Sequence, residues 1–79
     1  MSGDLDAELR AAHDRRDGAA LTRLYARAAD AAEAEGDADA AGFYLTQAYV
    51  FALACGDGAA GELNRRLAAM GRDALQHDL

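Results

Sequence analysis

The chain has 79 residues and a formal net charge of −6, and 22 of its residues are alanine. It has no proline, isoleucine or tryptophan and only one valine, so it is too poor in β-branched residues to build a sheet. The single cysteine excludes an internal disulfide, and 14 carboxylates against 8 arginines argue against binding to nucleic acid. The composition predicts one all-α domain, rich in alanine and acidic.

Glycine and aspartate divide the chain into four predicted helices. They cluster at three breaks about 20 residues apart, namely Asp17-Gly18, Gly36-Asp37 and Gly56-Asp57-Gly58. Glycine suits the position after a helix end, and aspartate suits the N-cap of the next helix. The predicted helices cover about residues 4–16, 19–35, 38–55 and 59–76. Gly71 can end the last one early. We expect a small antiparallel bundle of three to four helices.

Apolar spacing predicts which side of each helix is buried. In the second helix the spacing of i, i+3, i+4, i+7, i+8 and i+11 predicts a buried stripe of Leu21, Leu24, Tyr25, Ala28, Ala29 and Ala32. Narrower stripes are predicted for the first and fourth helices, at Leu5, Leu9 and Ala12 and at Ala60, Leu63, Leu67, Met70 and Ala74. The third helix is apolar on nearly every side, which is typical of a central helix or one that meets a second chain.

The segment 22–55 resembles one tetratricopeptide (TPR) repeat, whose signature is W-x2-L-G-x2-Y, then A-x3-F, then P. The corresponding positions here are Tyr25, Ala28, Ala29, Ala32, Ala41, Leu45 and Leu53. Ala41, Ala48 and the Gly36-Asp37 turn agree with the family outright, whereas Tyr25 replaces tryptophan and no proline ends the unit. The resemblance covers less than half of the chain. The alternative is an unrelated alanine-rich bundle with the same spacing.

This resemblance implies a helix-turn-helix arrangement that binds peptides or proteins along a groove lined by first helices. Here that groove would present Arg23, Arg27 and Asp30, the candidate partner-binding residues of the second helix. Asp30 lies where a clamp for a C-terminal carboxylate would need an amide, so such a clamp is not predicted. The alternative for this polar face is a solvated surface whose charges pair within the helix.

Four of the five aromatic residues lie in the third helix, and they are the second candidate site. Tyr44, Tyr49 and Phe51 are predicted to contact a partner if the alanine-rich neighbours leave these rings exposed, because tyrosine and phenylalanine are enriched at interfaces. Tyr44→Ala or Tyr49→Ala would then weaken binding more than stability. The alternative is that the rings form the core of a chain near the size limit for a single core.

Other motifs predict no catalytic or cofactor site. Residues 56–61, GDGAAG, match G-x-G-x-x-G, but a dinucleotide site needs a preceding strand, so they are interpreted as a turn. His13 and Asp14 are adjacent and point about 100° apart on a helix, which does not suit a general base. Cys55 is predicted to be a small packing residue at a helix C-terminus, where the dipole opposes a thiolate. No carboxylate set has the spacing of a calcium loop. We expect no metal, cofactor or enzymatic activity.

Neither a membrane nor an export signal is indicated. The longest apolar stretch, 43–55, is shorter than a bilayer span, and the first residues are acidic rather than basic. A cytoplasmic location is therefore expected, and arginine without lysine is typical of a GC-rich bacterial genome. The predicted function is a protein–protein interaction module, either an adaptor or an assembly subunit. The alternatives are a homodimeric structural bundle and a small-molecule sensor with a pocket between helices.

Overall fold

The computed structural model describes residues 3–71, which form four helices and no strand. The helices are α1 (Gly3–Arg15), α2 (Gly18–Ala34), α3 (Ala38–Cys55) and α4 (Ala60–Ala69). The all-α prediction is confirmed, and the first three helices agree with their predicted bounds to within one residue. The fourth prediction was too long, because α4 ends at Ala69 and Gly71 follows in the left-handed region. The rest of that prediction, from residue 72 on, lies outside the described residues.

Aspartate side chains cap the N-termini of α2 and α3, as the sequence predicts. The Asp17 carboxylate accepts a hydrogen bond from the backbone N–H of Ala20 at 3.1 Å, and Asp37 accepts one from Ala40 at 3.0 Å. Each bond satisfies one of the N–H groups that a helix leaves unpaired at its start. The same backbone bond lowers the pKa of Asp17, and a side-chain hydrogen bond from Arg15 adds to the effect. The two caps fix where the turns end.

Glycine occupies the left-handed position that follows α2, α3 and α4, whereas arginine occupies it after α1. Gly36, Gly56 and Gly71 have φ of 77°, 69° and 74°, in the left-handed region that glycine adopts without strain. After α1 that position belongs to Arg16, with φ of 55°. Gly18 cannot fill this position, because it follows the Asp17 cap as the first residue of α2. Arg16 is the only non-glycine residue with positive φ within residues 3–71.

Replacing Gly36 by alanine is expected to cost about 1 kcal/mol of unfolding free energy, because an L-residue is strained at this φ. A Cβ at this position would meet nothing within 4 Å, so backbone strain alone sets the cost. Gly58→Ala is the matched control, since that glycine also faces open space and has no positive φ. Urea unfolding of both variants measures the difference. Equal stability of the two variants would contradict the assigned turn geometry.

The helices pack in chain order, α1 on α2, α2 on α3 and α3 on α4, in a flat body of 36 × 30 × 18 Å. Two apolar clusters hold this array together. One joins α1 to α2 and contains Leu5, Ala12, Ala20, Leu21, Leu24 and Ala28. The other joins α2, α3 and α4 and contains Ala29, Leu45, Ala48, Tyr49, Ala52, Leu63 and Leu67. The predicted α2 stripe is confirmed, with Tyr25 partly exposed at its edge. α3 is the central helix of the second cluster.

Candidate protein-interaction surface

Tyr49 is a core residue. Only 3% of its surface is exposed, because it shares a side of α3 with Leu45 and Ala52, and that side is covered by α2 and α4. The interpretation of Tyr49 as a partner contact is therefore wrong for this fold. Its truncation acts on stability rather than on binding. Tyr44 and Phe51, the other two aromatic candidates, are partly exposed.

Tyr44 and Phe51 belong to an aromatic cluster that ties three helices together. The Phe51 ring stacks on Tyr25 of α2 with centroids 5.8 Å apart, and Tyr44 stacks on the same ring at 6.2 Å. His13 of α1 approaches Tyr25 and Phe51 edge-on, at 6.0 and 5.7 Å. Such pairs contribute about 0.5–1.5 kcal/mol beyond their buried area. The two candidate rings thus hold the fold together as well as reaching solvent.

Tyr25 is the centre of this cluster and carries its polar contact. The Tyr25 hydroxyl lies 3.0 Å from Nε2 of His13, within hydrogen-bond distance. Burial raises the pKa of Tyr25, and the nearby Tyr44 hydroxyl raises it further. His13 therefore has a structural partner on α2. No hydrogen bond or ion pair joins His13 to Asp14 within residues 3–71.

A separate set of large apolar side chains on α3 lies in solvent. Phe43, Val50 and Leu53 are 56%, 49% and 53% exposed. Within residues 3–71 they are the large hydrophobic residues that are classed as exposed. Their spacing of seven and three residues places them on one side of the helix. We name these three side chains the α3 face. Phe43 belongs to the aromatic set of the third helix that the sequence offered as a candidate site, whereas Val50 and Leu53 were not predicted as site residues.

The exposed apolar area of the α3 face is in the range that is found at binding surfaces. Three side chains of this size, about half exposed, leave on the order of 300 Å² of apolar surface in water, comparable to the largest patch on a typical monomer. Thr46 and Gln47 lie between them along the helix and are only partly buried. Phe43 touches Tyr44 edge-to-face at 5.5 Å, which links the patch to the aromatic cluster. The exposed apolar side chains therefore extend from Phe43 to Leu53 along α3, with two polar residues between them.

Arg23 and Arg27 of the predicted α2 groove are exposed but partnered. The guanidinium of Arg23 donates to the backbone carbonyl of Ala19 at 3.3 Å, within its own helix. Arg27 lies 3.4 Å from the carboxylate of Glu8 on α1. An exposed pair of this kind contributes about 0–1 kcal/mol. The polar face of α2 is therefore partly occupied by contacts with α1.

Asp30, the third α2 candidate, forms an ion pair with α4. The carboxylate of Asp30 lies 2.7 Å from the guanidinium of Arg66, and the carboxylate of Glu33 lies 3.3 Å from the same group. The alternative of charges that pair within α2 does not hold for Asp30, because its partner Arg66 belongs to α4. The bridge joins helices that are not neighbours in the chain. The ion pair with Arg66 reduces the part of the α2 polar face that is available to a partner.

Cys55 does not pack in the core as predicted. It is an exposed free thiol, and its weak contact to the carbonyl oxygen of Ala52 spans 3.9 Å. The reason is its position, since Ala52 is the last buried residue of α3 and Cys55 ends the helix one turn later. One side of the residue lies close to Gly18 of α2, and the rest of it faces solvent. It borders an open cavity at this end of the bundle.

The glycine-rich segment 56–61 forms the turn between α3 and α4. Gly56 occupies the left-handed position and Gly61 is already inside α4. Within residues 3–71, no group of three or more histidine, cysteine, aspartate and glutamate side chains is placed to hold a metal ion. Over the same residues, no helix is both long and apolar enough to cross a membrane.

Comparisons of the chain with protein families, with curated proteins and with solved structures find no match in any of the three.

Proposed function

We propose that this chain is a small, non-catalytic protein–protein interaction module that uses the α3 face to bind a partner. The observation that carries the proposal is the half exposure of Phe43, Val50 and Leu53 on one side of the central helix. Exposure of large apolar side chains to water is unfavourable, and burying them in an interface is therefore favourable. Tyr44 is partly exposed and lies next to the patch, where the Phe43 ring contacts it edge-on.

The charge around the α3 face favours a basic partner. Asp39 is the only charged residue of α3, and the turns at its two ends add Glu35, Asp37 and Asp57. The whole chain carries a net charge of −6, so its field attracts cations over a distance of about 10 Å at moderate salt. A helix with an apolar side and flanking lysine or arginine matches both properties. The proposed occupant is therefore a basic amphipathic helix of another protein, bound in a helix-on-helix mode.

A second copy of this chain fits the face less well. Two α3 faces together would bury on the order of 600 Å², about half of what a specific, stable interface requires. Each copy also carries a charge of −6, which repels the other. Light scattering across a concentration series is expected to give the monomer mass of 8.3 kDa. A dimer that persists on dilution would assign the face to self-association instead.

The packing order supports a TPR-like arrangement. Each helix packs on its neighbours in the chain, and the α2–α3 hairpin turns at Gly36 and Asp37 as the resemblance implies. The proposed contact surface is nevertheless on the second helix of this hairpin. The first-helix side, where that family's groove would lie, has Arg27 and Asp30 engaged in ion pairs. These pairs and the exposed α3 face together favour α3 as the docking side.

A designed helix tests the proposal. The probe is a fluorescent peptide of about 18 residues, with leucine at i, i+3, i+4 and i+7 and lysine elsewhere. We expect saturable binding with a dissociation constant on the order of 10 μM, measured by anisotropy at 0.15 M salt. A scrambled peptide of the same composition, and a version with glutamate for lysine, are the controls. Equal binding of the scrambled peptide, or no binding of the designed one, would contradict the proposal.

A further inference from the structure

A cavity lies at the end of the bundle where α1 ends, α2 begins and α3 ends. Its volume is about 320 Å³, at the lower end of the range for small-molecule sites. Leu21, Phe51 and Ala54 supply apolar walls. His13 and Arg16 supply polar groups on the α1 side. The combination of an apolar wall with a few converging polar groups is typical of ligand sites.

The backbone at this cavity is shaped by Gly18 and Arg16. A Cβ added to Gly18 would lie 3.2 Å from the Cβ of Cys55, so the glycine allows α2 and α3 to approach closely at the cavity floor. Arg16 occupies a left-handed position that the other helix ends fill with glycine. A non-glycine residue at such a position costs about 1–2 kcal/mol. Strain of this kind is found where a side chain is kept for function.

Among the described residues, Arg16 is the one permanently charged side chain that lines the cavity, and it favours an anionic ligand locally although the whole chain carries a net charge of −6. The C-terminal ends of α1 and α3 and the N-terminal end of α2 meet at this cavity, so the helix dipoles leave a net partial negative charge that the Arg16 guanidinium has to offset for an anion to bind. Arg16 is permanently cationic and presents a planar fork of donors that suits a carboxylate. Phe51 offers an aromatic surface for the rest of the ligand.

We propose that this cavity binds a small amphipathic carboxylate, with its anionic group on Arg16 and an aromatic or branched apolar body against Leu21, Phe51 and Ala54. This site is distinct from the α3 face. Ligand binding here and helix docking there can succeed or fail independently.

The probe is 3-phenylpropionate, titrated into the full chain and followed by amide NMR shifts. We expect saturable shifts at residues 16–18 and 51–55, with a dissociation constant on the order of 1 mM. The neutral isostere 3-phenylpropanamide is expected to bind at least about tenfold more weakly. Because Cys55 is the only thiol in the chain and borders the cavity, the carboxylate should also slow its alkylation with the same saturation constant.

The Arg16→Gly variant is expected to change ligand binding and thermal stability in opposite directions. It relieves the left-handed strain and is expected to raise the Tm by a few degrees. It is also expected to weaken carboxylate binding at least about tenfold, whereas Arg16→Lys retains part of the affinity. Unchanged affinity in Arg16→Gly would overturn the proposal. So would equal binding of acid and amide, or the absence of any saturable shift at the cavity.

Discussion

Leu45→Ala is expected to lower the free energy of unfolding by about 2–5 kcal/mol. Leu45 has no exposed surface and lies at the centre of the cluster that joins α2, α3 and α4. Truncation loses the transfer free energy of the side chain and leaves a cavity between helices that are already packed through alanine. A chain of this length has a total stability of about 4–12 kcal/mol, so the variant loses a large fraction of it. Thermal unfolding followed by circular dichroism should show a Tm lower by at least about 8 °C.

Leu53→Ala is the matched control for that experiment. It makes the same chemical change in the same helix, so any difference in helix propensity is identical. Leu53 is 53% exposed, and we expect its truncation to cost less than about 1 kcal/mol. Similar losses in the two variants would mean that α3 has both sides buried in solution. The assignment of an exposed α3 face would then be wrong.

The double variant Phe43→Ala and Leu53→Ala is expected to weaken binding of the basic amphipathic peptide by at least about tenfold, equivalent to about 1.4 kcal/mol. Both side chains are more than half exposed, so their loss removes apolar contact area in the complex. The free chain keeps its buried clusters, because neither residue belongs to them. Anisotropy titration and thermal unfolding of the same preparation measure binding and stability together.

Arg23→Ala is the control for the double variant, because it alters the polar face of α2. This variant makes the chain more acidic, so the basic peptide is expected to bind equally well or slightly better. A loss of affinity in Arg23→Ala, with none in the double variant, would move the docking surface to α2. That outcome would favour the first-helix groove implied by the TPR resemblance.

Local signals in the sequence were sufficient for the helices and for half of the core. Asp17 and Asp37 cap the predicted starts, and Gly36 and Gly56 take the left-handed positions after the predicted ends. These features depend on backbone geometry within a few residues, which residue type constrains directly. The buried side of α2 was equally predictable, because its apolar residues follow one stripe and its charges lie elsewhere.

The candidate site could not be predicted to the same degree, because α3 is apolar on nearly every side. A pattern with no polar side does not indicate which direction faces the neighbours, so buried Tyr49 and exposed Phe43 look alike in sequence. The answer depends on how α2 and α4 cross α3. The ion pair between Asp30 and Arg66 also depends on that crossing, since these residues are 36 positions apart. Cys55 is exposed at the end of α3 although it lies close to Gly18 of α2, and the sequence alone does not indicate how much of it that neighbour covers.

The most direct test of the central claim is a map of peptide binding on the labelled chain by two-dimensional amide NMR. If the α3 face is the docking surface, saturating amounts of the leucine–lysine helix should shift the amides of Phe43, Gln47, Val50 and Leu53. The amides of the α1–α2 cluster, such as Leu5 and Leu24, should remain in place. A footprint centred on Arg23, Arg27 and Asp30, or no saturable footprint on α3, would contradict the claim.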